Sequence, residues 1–151
     1  MRTLAVDLGT RRVGLALSDE GGRFATPYEV VEVTSPEMAA TKILDVIERE
    51  GVTRLVVGLP LNMDDSIGPA ARQAVAWGDD LARRAQKPVV YVDERLSSFA
   101  AEQDLNDRKR GGEKLTRKRR KERLDALAAA GFLQAFLDGK LQAIDVSQLS
   151  S

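Results

Sequence analysis

Apolar residues recur along this chain with two different periods, and each change of period marks a new element. Leu4-Ala5-Val6-Asp7-Leu8 is a short apolar run with one carboxylate inside it, and Val13-Gly14-Leu15-Ala16-Leu17 is a second. Runs of this length bounded by turn residues read as strands. Strands are therefore expected over 2–7, over Arg12–Ser18 and, in a more polar stretch, over Ala25–Val33. Gly9 and the pair Gly21-Gly22 supply the turns, and three strands joined so tightly form an antiparallel meander. Beyond Ser35-Pro36-Glu37 the period lengthens: Ile43, Leu44, Val46 and Ile47 fall at helical spacing. Ser35 is suited to the N-cap and Pro36 to the first helical position, and Gly51 ends the helix.

The second half alternates. Arg54–Leu59 is a short continuous apolar run, the pattern of a strand covered on both faces. Pro69–Ala85 reads as a helix and Pro88–Asp93 as a strand. Ser97 or Ser98 caps a short helix to about Leu105, and a long helix runs from about Thr116 to Asp138 with Gly139 as its stop. The order β-β-β-α-β-α-β-α-α predicts an α/β fold. Three antiparallel strands and then two parallel ones form a mixed five-stranded sheet with helices on both faces. A single domain is expected over 1–143, with a loose tail over 144–151.

Composition narrows the chemistry. The chain of 151 residues has no Cys and no His. This removes thiolate metal sites, disulfides, cysteine nucleophiles and every His-dependent triad. A metal here would be held by oxygen, which favours Mg²⁺ or Mn²⁺. No run is long and apolar enough for a membrane span or a signal peptide, so a cytoplasmic protein is expected. Basic and acidic residues balance at 23 each, but they are segregated. Residues 108–123 hold ten basic side chains and two acidic ones, a net +8, which leaves −8 on the rest. A neutral chain with one dense basic segment suggests a localised contact with a polyanion, against the plainer reading of a solvated helix face.

Three carboxylates stand in unusual places. Asp7 ends the first strand. Val89-Val90-Tyr91-Val92-Asp93-Glu94-Arg95 ends a parallel strand with two more acids, and either Asp93 or Glu94 can serve as a ligand there. On a helical wheel Asp125 shares a stripe with Ala129, Phe132 and Phe136, a face that should pack on the sheet. The same stripe runs back through Lys121 and Lys118. A carboxylate on a central strand is costly without compensation. Acids from two strand ends and one helix can hold two divalent cations, which activate water and neutralise charge on a scissile phosphate. Each acid also has a structural reading. Asp7 can cap the turn at Gly9-Thr10, Asp93 or Glu94 can pair with Arg95, and Asp125 can pair with Arg119 or Lys121. The stretch from Gly58 to Gly68 follows a parallel strand and should rim the same edge.

Four motifs in order carry a family resemblance: Val6-Asp7-Leu8-Gly9-Thr10-Arg11-Arg12-Val13-Gly14, Val57-Gly58-Leu59-Pro60-Leu61-Asn62-Met63-Asp64, Val92-Asp93-Glu94-Arg95-Leu96-Ser97-Ser98, and Asp125-Ala126-Leu127-Ala128-Ala129 after the basic stretch. In these, over nearly its full length, the chain resembles the YqgF family, also called RuvX, of the RNase H-like superfamily. The resemblance implies the RNase H-like fold and a metal-dependent nuclease with Asp7, Glu94 and Asp125 as catalytic acids and ligands of Mg²⁺ or Mn²⁺. It also implies a role in trimming precursor 16S ribosomal RNA, with Holliday-junction resolution as the alternative. Asp64-Asp65 stands where the family usually has Asp-Gly. Positions 126–129 offer no fourth acid of the kind the junction resolvases carry.

The expected nucleic-acid contacts are Arg11, Arg12, Asn62, Arg95, Arg117, Lys118, Arg119 and Lys121. RNA is the expected partner, within pre-ribosomal particles, with DNA and a homodimer as open alternatives. Asp7-Leu8-Gly9-Thr10 also resembles the first phosphate loop of actin-like ATPases, but those enzymes need two such domains. A non-catalytic RNA-binding module is the remaining alternative.

Overall fold

A computed structural model describes residues 1–9, 11–95 and 117–146, and in the last helix it describes side chains from Ala126 onward. The elements are β1 (Thr3–Leu8), β2 (Arg12–Ser18), β3 (Ala25–Glu32), α1 (Pro36–Glu50), β4 (Arg54–Leu59), α2 (Pro69–Ala85), β5 (Val89–Asp93) and α3 (Arg117–Leu137). The short helix expected from Ser97 or Ser98 to Leu105 lies outside the described residues, as do basic positions 108–116. Among the described residues no helix is long and apolar enough to cross a membrane.

The five strands form one sheet in the order β3-β2-β1-β4-β5. β1 pairs antiparallel with β2 and parallel with β4, which pairs parallel with β5. The first strand in the sequence is thus the middle strand of the sheet, so Leu4, Ala5 and Val6 are fully buried.

The period-2 alternation of the strands divides the core into two layers. Leu4, Val6, Leu15, Leu55, Val57 and Tyr91 face α1 and α2. Ala5, Ala16, Val56 and Val92 face α3, where they meet Ala129, Phe132 and Leu133. The side chains on the α3 face of the sheet are small, which leaves room for Phe132, fully buried at the centre of that layer. Gln134 then fixes the helix over the β2–β3 turn. Its Oε1 accepts from the Ala25 amide at 2.8 Å, and its Nε2 donates to the Arg23 carbonyl at 2.9 Å.

Local signals act where the sequence places them. Ser35 caps α1 by accepting from the Met38 amide at 3.2 Å, and Gly51 ends it at φ 65°. Of the tail expected to be loose over 144–151, residues 144–146 are described and 147–151 lie outside the described residues. The Ile144 amide donates to the Tyr91 carbonyl at 2.7 Å, and Ile144 and Val146 pack against the α1/α2 layer. Burial of these two apolar side chains beside β5 holds the chain down at least to 146.

Candidate active site

Asp7, Gly58 and Glu94 come together at the C-terminal edge of the parallel strands. Asp7 lies opposite Gly14 in β2. Val6 pairs with Val57 and Gly58 pairs with Val92, so Asp7 stands level with Gly58 across β4. By the two-residue period Asp7 shares its face with Ala5, Gly58 with Val56, and Glu94 with Val92; all three belong to the α3 side of the sheet. Strands β1 and β5 flank β4 and lie about 9–10 Å apart. Two side chains can meet across that span only if the residue between them is small. Gly58 supplies the gap: a Cβ there would stand 2.9 Å from the Glu94 Cβ and 2.8 Å from Phe132 Cε2.

The Asp7 and Glu94 side chains hydrogen-bond to each other in this gap. Two carboxylates cannot do so unless one carries a proton. Burial, the hydrogen bond to Asp7 and the charges of Asp7 and Asp93 push the Glu94 carboxyl up to about 9. Its Oε2 is fully shielded from solvent. The two acids are therefore a proton-sharing pair in a partly dehydrated cleft. A divalent cation bound between these carboxyls would displace the shared proton.

Asp93, the other acid at the end of β5, belongs to a different structure. Its side chain shares the parity of Tyr91 rather than that of Val92. Its Oδ1 accepts from the Arg95 amide at 3.0 Å and from Arg95 Nε at 2.9 Å, and its Oδ2 accepts from Arg95 Nη2 at 2.7 Å. The Arg95 hydrogen bonds hold the Asp93 carboxyl below the usual carboxylate range. The same guanidinium donates to the Asn62 carbonyl at 2.6 Å and to Asp65 Oδ1. Arg95, expected among the nucleic-acid contacts, is thus held within the protein, because three acceptors surround it at the end of the strand.

The other candidates are distributed along the same edge or on α3. Asp125 lies in α3 one turn before the fully buried Ala129. Its side chain lies outside the described atoms, as do those of Arg117, Lys118, Arg119 and Lys121. Among the described residues no group of three acids is gathered for a metal. Arg11 is exposed and Arg12 half-buried in the turn after β1, where the Gly9 amide donates to the Arg12 carbonyl at 2.9 Å. The two arginines line a cleft with Glu32 and Thr34. Asn62 is exposed, and its side-chain amide donates to Ser66 Oγ at 2.9 Å. Asp64 caps the same loop by accepting from the Ser66 amide at 3.0 Å. Trp77 and Tyr91 are packing residues: Trp77 Nε1 donates to the Pro36 carbonyl at 2.9 Å, and the Tyr91 hydroxyl lies 2.7 Å from Asp79 Oδ1.

Two parts of this arrangement are not evident from the motifs alone. Gly58 reads as a rim glycine, yet it is the floor between the acids; its signal is a glycine inside an apolar strand run, which marks a close approach. Asp65 is a solvated acid, its side chain 81% exposed, that also accepts from Arg95, and nothing local in the sequence announces that pairing.

Comparison with known proteins agrees with this picture. The family described as "RuvX: Holliday junction resolvase" matches residues 1–139. A relative from Acidiphilium cryptum, named "Putative pre-16S rRNA nuclease", is 44% identical over 137 residues, covering 91% of this chain and 84% of its own. A relative of the same name from Maridesulfovibrio salexigens is 42% identical over 137 residues, covering 91% of this chain and 98% of its own. Among solved structures, Thermus thermophilus RuvC in complex with a Holliday junction superposes with a TM-score of 0.58 at 19% identity, over 95% of this chain and 99% of that one. At that identity the likeness establishes the RNase H-like fold that the two share. A family match over residues 1–139 and relatives above 40% identity across nine-tenths of the sequence make the chain a member of the RuvX family.

Proposed function

We propose that this protein is a divalent-metal-dependent nuclease that hydrolyses phosphodiester bonds in RNA, trimming the 5′ end of pre-16S ribosomal RNA in the cytoplasm. The observation that carries the proposal is the meeting of the Asp7 and Glu94 carboxyls over Gly58, at the strand edge where α/β sheets place functional groups. The donor set fits the group: all-oxygen ligands and a carboxyl pair that shares a proton suit Mg²⁺ or Mn²⁺. Asp7 and Glu94 would hold the cations together with Asp125 from α3. When bound, two such ions supply an activated water and neutralise charge developing on the phosphate.

The protein's own contribution is placement and exclusion. Gly58 lets the two carboxyls converge, and Phe132 closes the apolar side of the cleft. Arg11 and Arg12, next to the turn at the same edge, would meet backbone phosphates. Such contacts set register and carry no sequence information. Lys118, Arg119 and Lys121, in the first turns of α3, would supply further phosphate contacts. The relatives' names point to RNA as the substrate, and the test is direct. Purified protein is incubated with labelled pre-16S RNA, single-stranded DNA and a four-way junction, each with Mg²⁺, Mn²⁺ or EDTA. Metal-dependent cleavage of the RNA, lost in Asp7→Asn, is expected. Preferential cleavage of the junction would move the assignment to a resolvase, and metal-independent RNA binding without cleavage would move it to a binding module.

A further inference from the structure

The end of β5 and the β4–α2 loop are joined through one side chain. Loop 60–68 rims the candidate site on the side away from α3. It is internally closed: the Asn62 amide donates to the Ser66 carbonyl at 3.0 Å, and the Asp65 amide donates to the Asn62 carbonyl at 2.9 Å. Asp65 holds φ at 69°, a left-handed conformation that few side chains adopt readily. Asp is one of those that tolerate it, so Asp65 can keep the turn while adding a carboxylate to it. That carboxylate meets Arg95 Nη2, while Arg95 Nη1 reaches the Asn62 carbonyl at 2.6 Å.

On its other side Arg95 grips β5. The Asp93 Oδ1 that accepts the Arg95 amide closes an Asx turn around Glu94, and the guanidinium forks onto both oxygens of the same carboxylate. Glu94 is thus the middle residue of a three-residue loop whose ends are locked together. With Asp93 and Arg95 held on the loop side, the Glu94 side chain is left facing α3 and Asp7. The Glu94 amide still donates to the Leu59 carbonyl at 3.3 Å, so the residue is tied to the last residue of β4, from which the loop departs.

We infer that Arg95 is a positioning residue for Glu94 and that Asp65 is its handle on loop 60–68, so that the rim loop and the Glu94 carboxylate form one mechanical unit. This rests on the nuclease reading for its kinetic consequence, but the coupling itself is a property of the fold. A carboxylate displaced by a fraction of an ångström orients a cation poorly, whereas the phosphate contacts made elsewhere are untouched. The clamp therefore acts on turnover and leaves substrate affinity largely alone.

The test uses the full-length protein with Asp65→Gly, which keeps the left-handed turn and removes only the carboxylate, and Arg95→Lys, which keeps the charge and removes the fork. With RNA and Mg²⁺ or Mn²⁺, each variant should lose roughly tenfold to a hundredfold in kcat with KM within about a factor of two. The double variant should be no worse than Arg95→Lys alone, since both remove one device. In parallel, amide hydrogen exchange is followed at Asn62, Asp65 and Glu94. In Arg95→Lys these three amides should exchange faster together, while the core of β1 is unchanged. If the parent protein cleaves nothing under any metal, the nuclease reading fails and exchange alone decides the clamp. Concerted acceleration supports it, and unchanged exchange at Glu94 overturns it. Parental kcat in both single variants, with an active parent, also overturns it.

Discussion

Gly58 lies directly under Glu94: a methyl group added to Gly58 would stand 2.9 Å from the Glu94 Cβ, closer than side-chain carbons approach one another. The same methyl would meet the ring of Phe132 at 2.8 Å. A carboxylate of the candidate site and the largest buried side chain of the α3 layer therefore both depend on the absence of a side chain in the middle of β4. Gly58→Ala should destabilise the protein by about 1–3 kcal/mol through overpacking. It should also reduce cleavage by more than the unfolded fraction explains, because it moves Glu94 off Asp7. Urea denaturation and a cleavage assay on the same preparation would check this, and a parental value in both would contradict the geometry.

Removing one carboxylate of the pair separates its two roles. Asp7→Asn keeps shape and hydrogen-bonding capacity but removes a charged ligand. Cleavage should fall by roughly a thousandfold or more, since metal stabilisation is worth several kcal/mol of barrier. The metal-free fold should be at least as stable as the parent's, because an amide can still hydrogen-bond to Glu94 while the partly dehydrated cleft no longer holds an ionised carboxylate at position 7. Circular dichroism melting and single-turnover cleavage read the two effects independently. Glu94→Gln should abolish cleavage in the same way. Asp93→Asn, which keeps the Glu94 carboxylate but weakens the fork that holds Arg95, should be milder than either, with a loss no larger than that expected for Arg95→Lys.

The proton shared by the pair makes stability depend on pH. Burial first, and then Asp7, push the Glu94 carboxyl from its ordinary value of 4.5 up to about 9 in the fold. Below about 4.5 both states are protonated and the contribution is complete. As pH rises through the window to about 9 the folded state must give up a proton it holds more tightly, so stability falls. The melting temperature of metal-free protein should drop across this window, by roughly 3 °C for each kcal/mol lost. Glu94→Gln should flatten that slope. Saturating Mg²⁺ or Mn²⁺ should raise the melting temperature at pH 8 and release about one proton per protein on binding. Titration calorimetry in two buffers of different ionisation enthalpy measures that proton directly.

The basic turns of α3 are expected to bind phosphate without reading sequence. Basic residues at a helix N-terminus oppose the macrodipole, and a polyanion offsets that cost. Replacing Lys118, Arg119 and Lys121 together by Gln should weaken RNA binding to a similar degree across unrelated sequences. The slope of log K against log salt should fall in magnitude by roughly one unit for each phosphate the protein no longer neutralises. Turnover at saturating RNA should change much less than in Asp7→Asn. An unchanged salt slope would mean that the segment is a solvated helix face.

Much of the architecture was legible in local patterns. Each apolar run from Leu4 to Asp93 became a strand, because period-2 and short apolar patterns state which residues must leave water. Ser35, Pro36 and Gly51 marked the ends of α1 because capping is decided within one turn of the chain. Ala129 and Phe132 declared the buried stripe of α3 through their spacing. The positions of Asp7 and Glu94 at strand ends, and of Asp125 on the same stripe one turn before Ala129, follow from the same local reading.

Tertiary structure decided what these residues meet. The sequence leaves Asp93 and Glu94 equivalent as acids at a strand end; the sheet distinguishes them, because α3 covers one face and the α2 side takes the other. Asp7 and Glu94 are far apart in the chain and on strands that do not touch. Their meeting depends on β4 being inserted between β1 and β5, in a register that puts Gly58 at their level. The sequence offers Arg95 a partner in Asp93 or Glu94, but its link to Asp65 arises only when the β4–α2 loop folds back beside it, and Ile144 reads as tail until β5 offers it the Tyr91 carbonyl. Burial preference is a property of each residue and its near neighbours, so the sequence displays it. Register across a sheet and pairing across loops arise only when the whole chain has closed, and they determine which of its acids share a site.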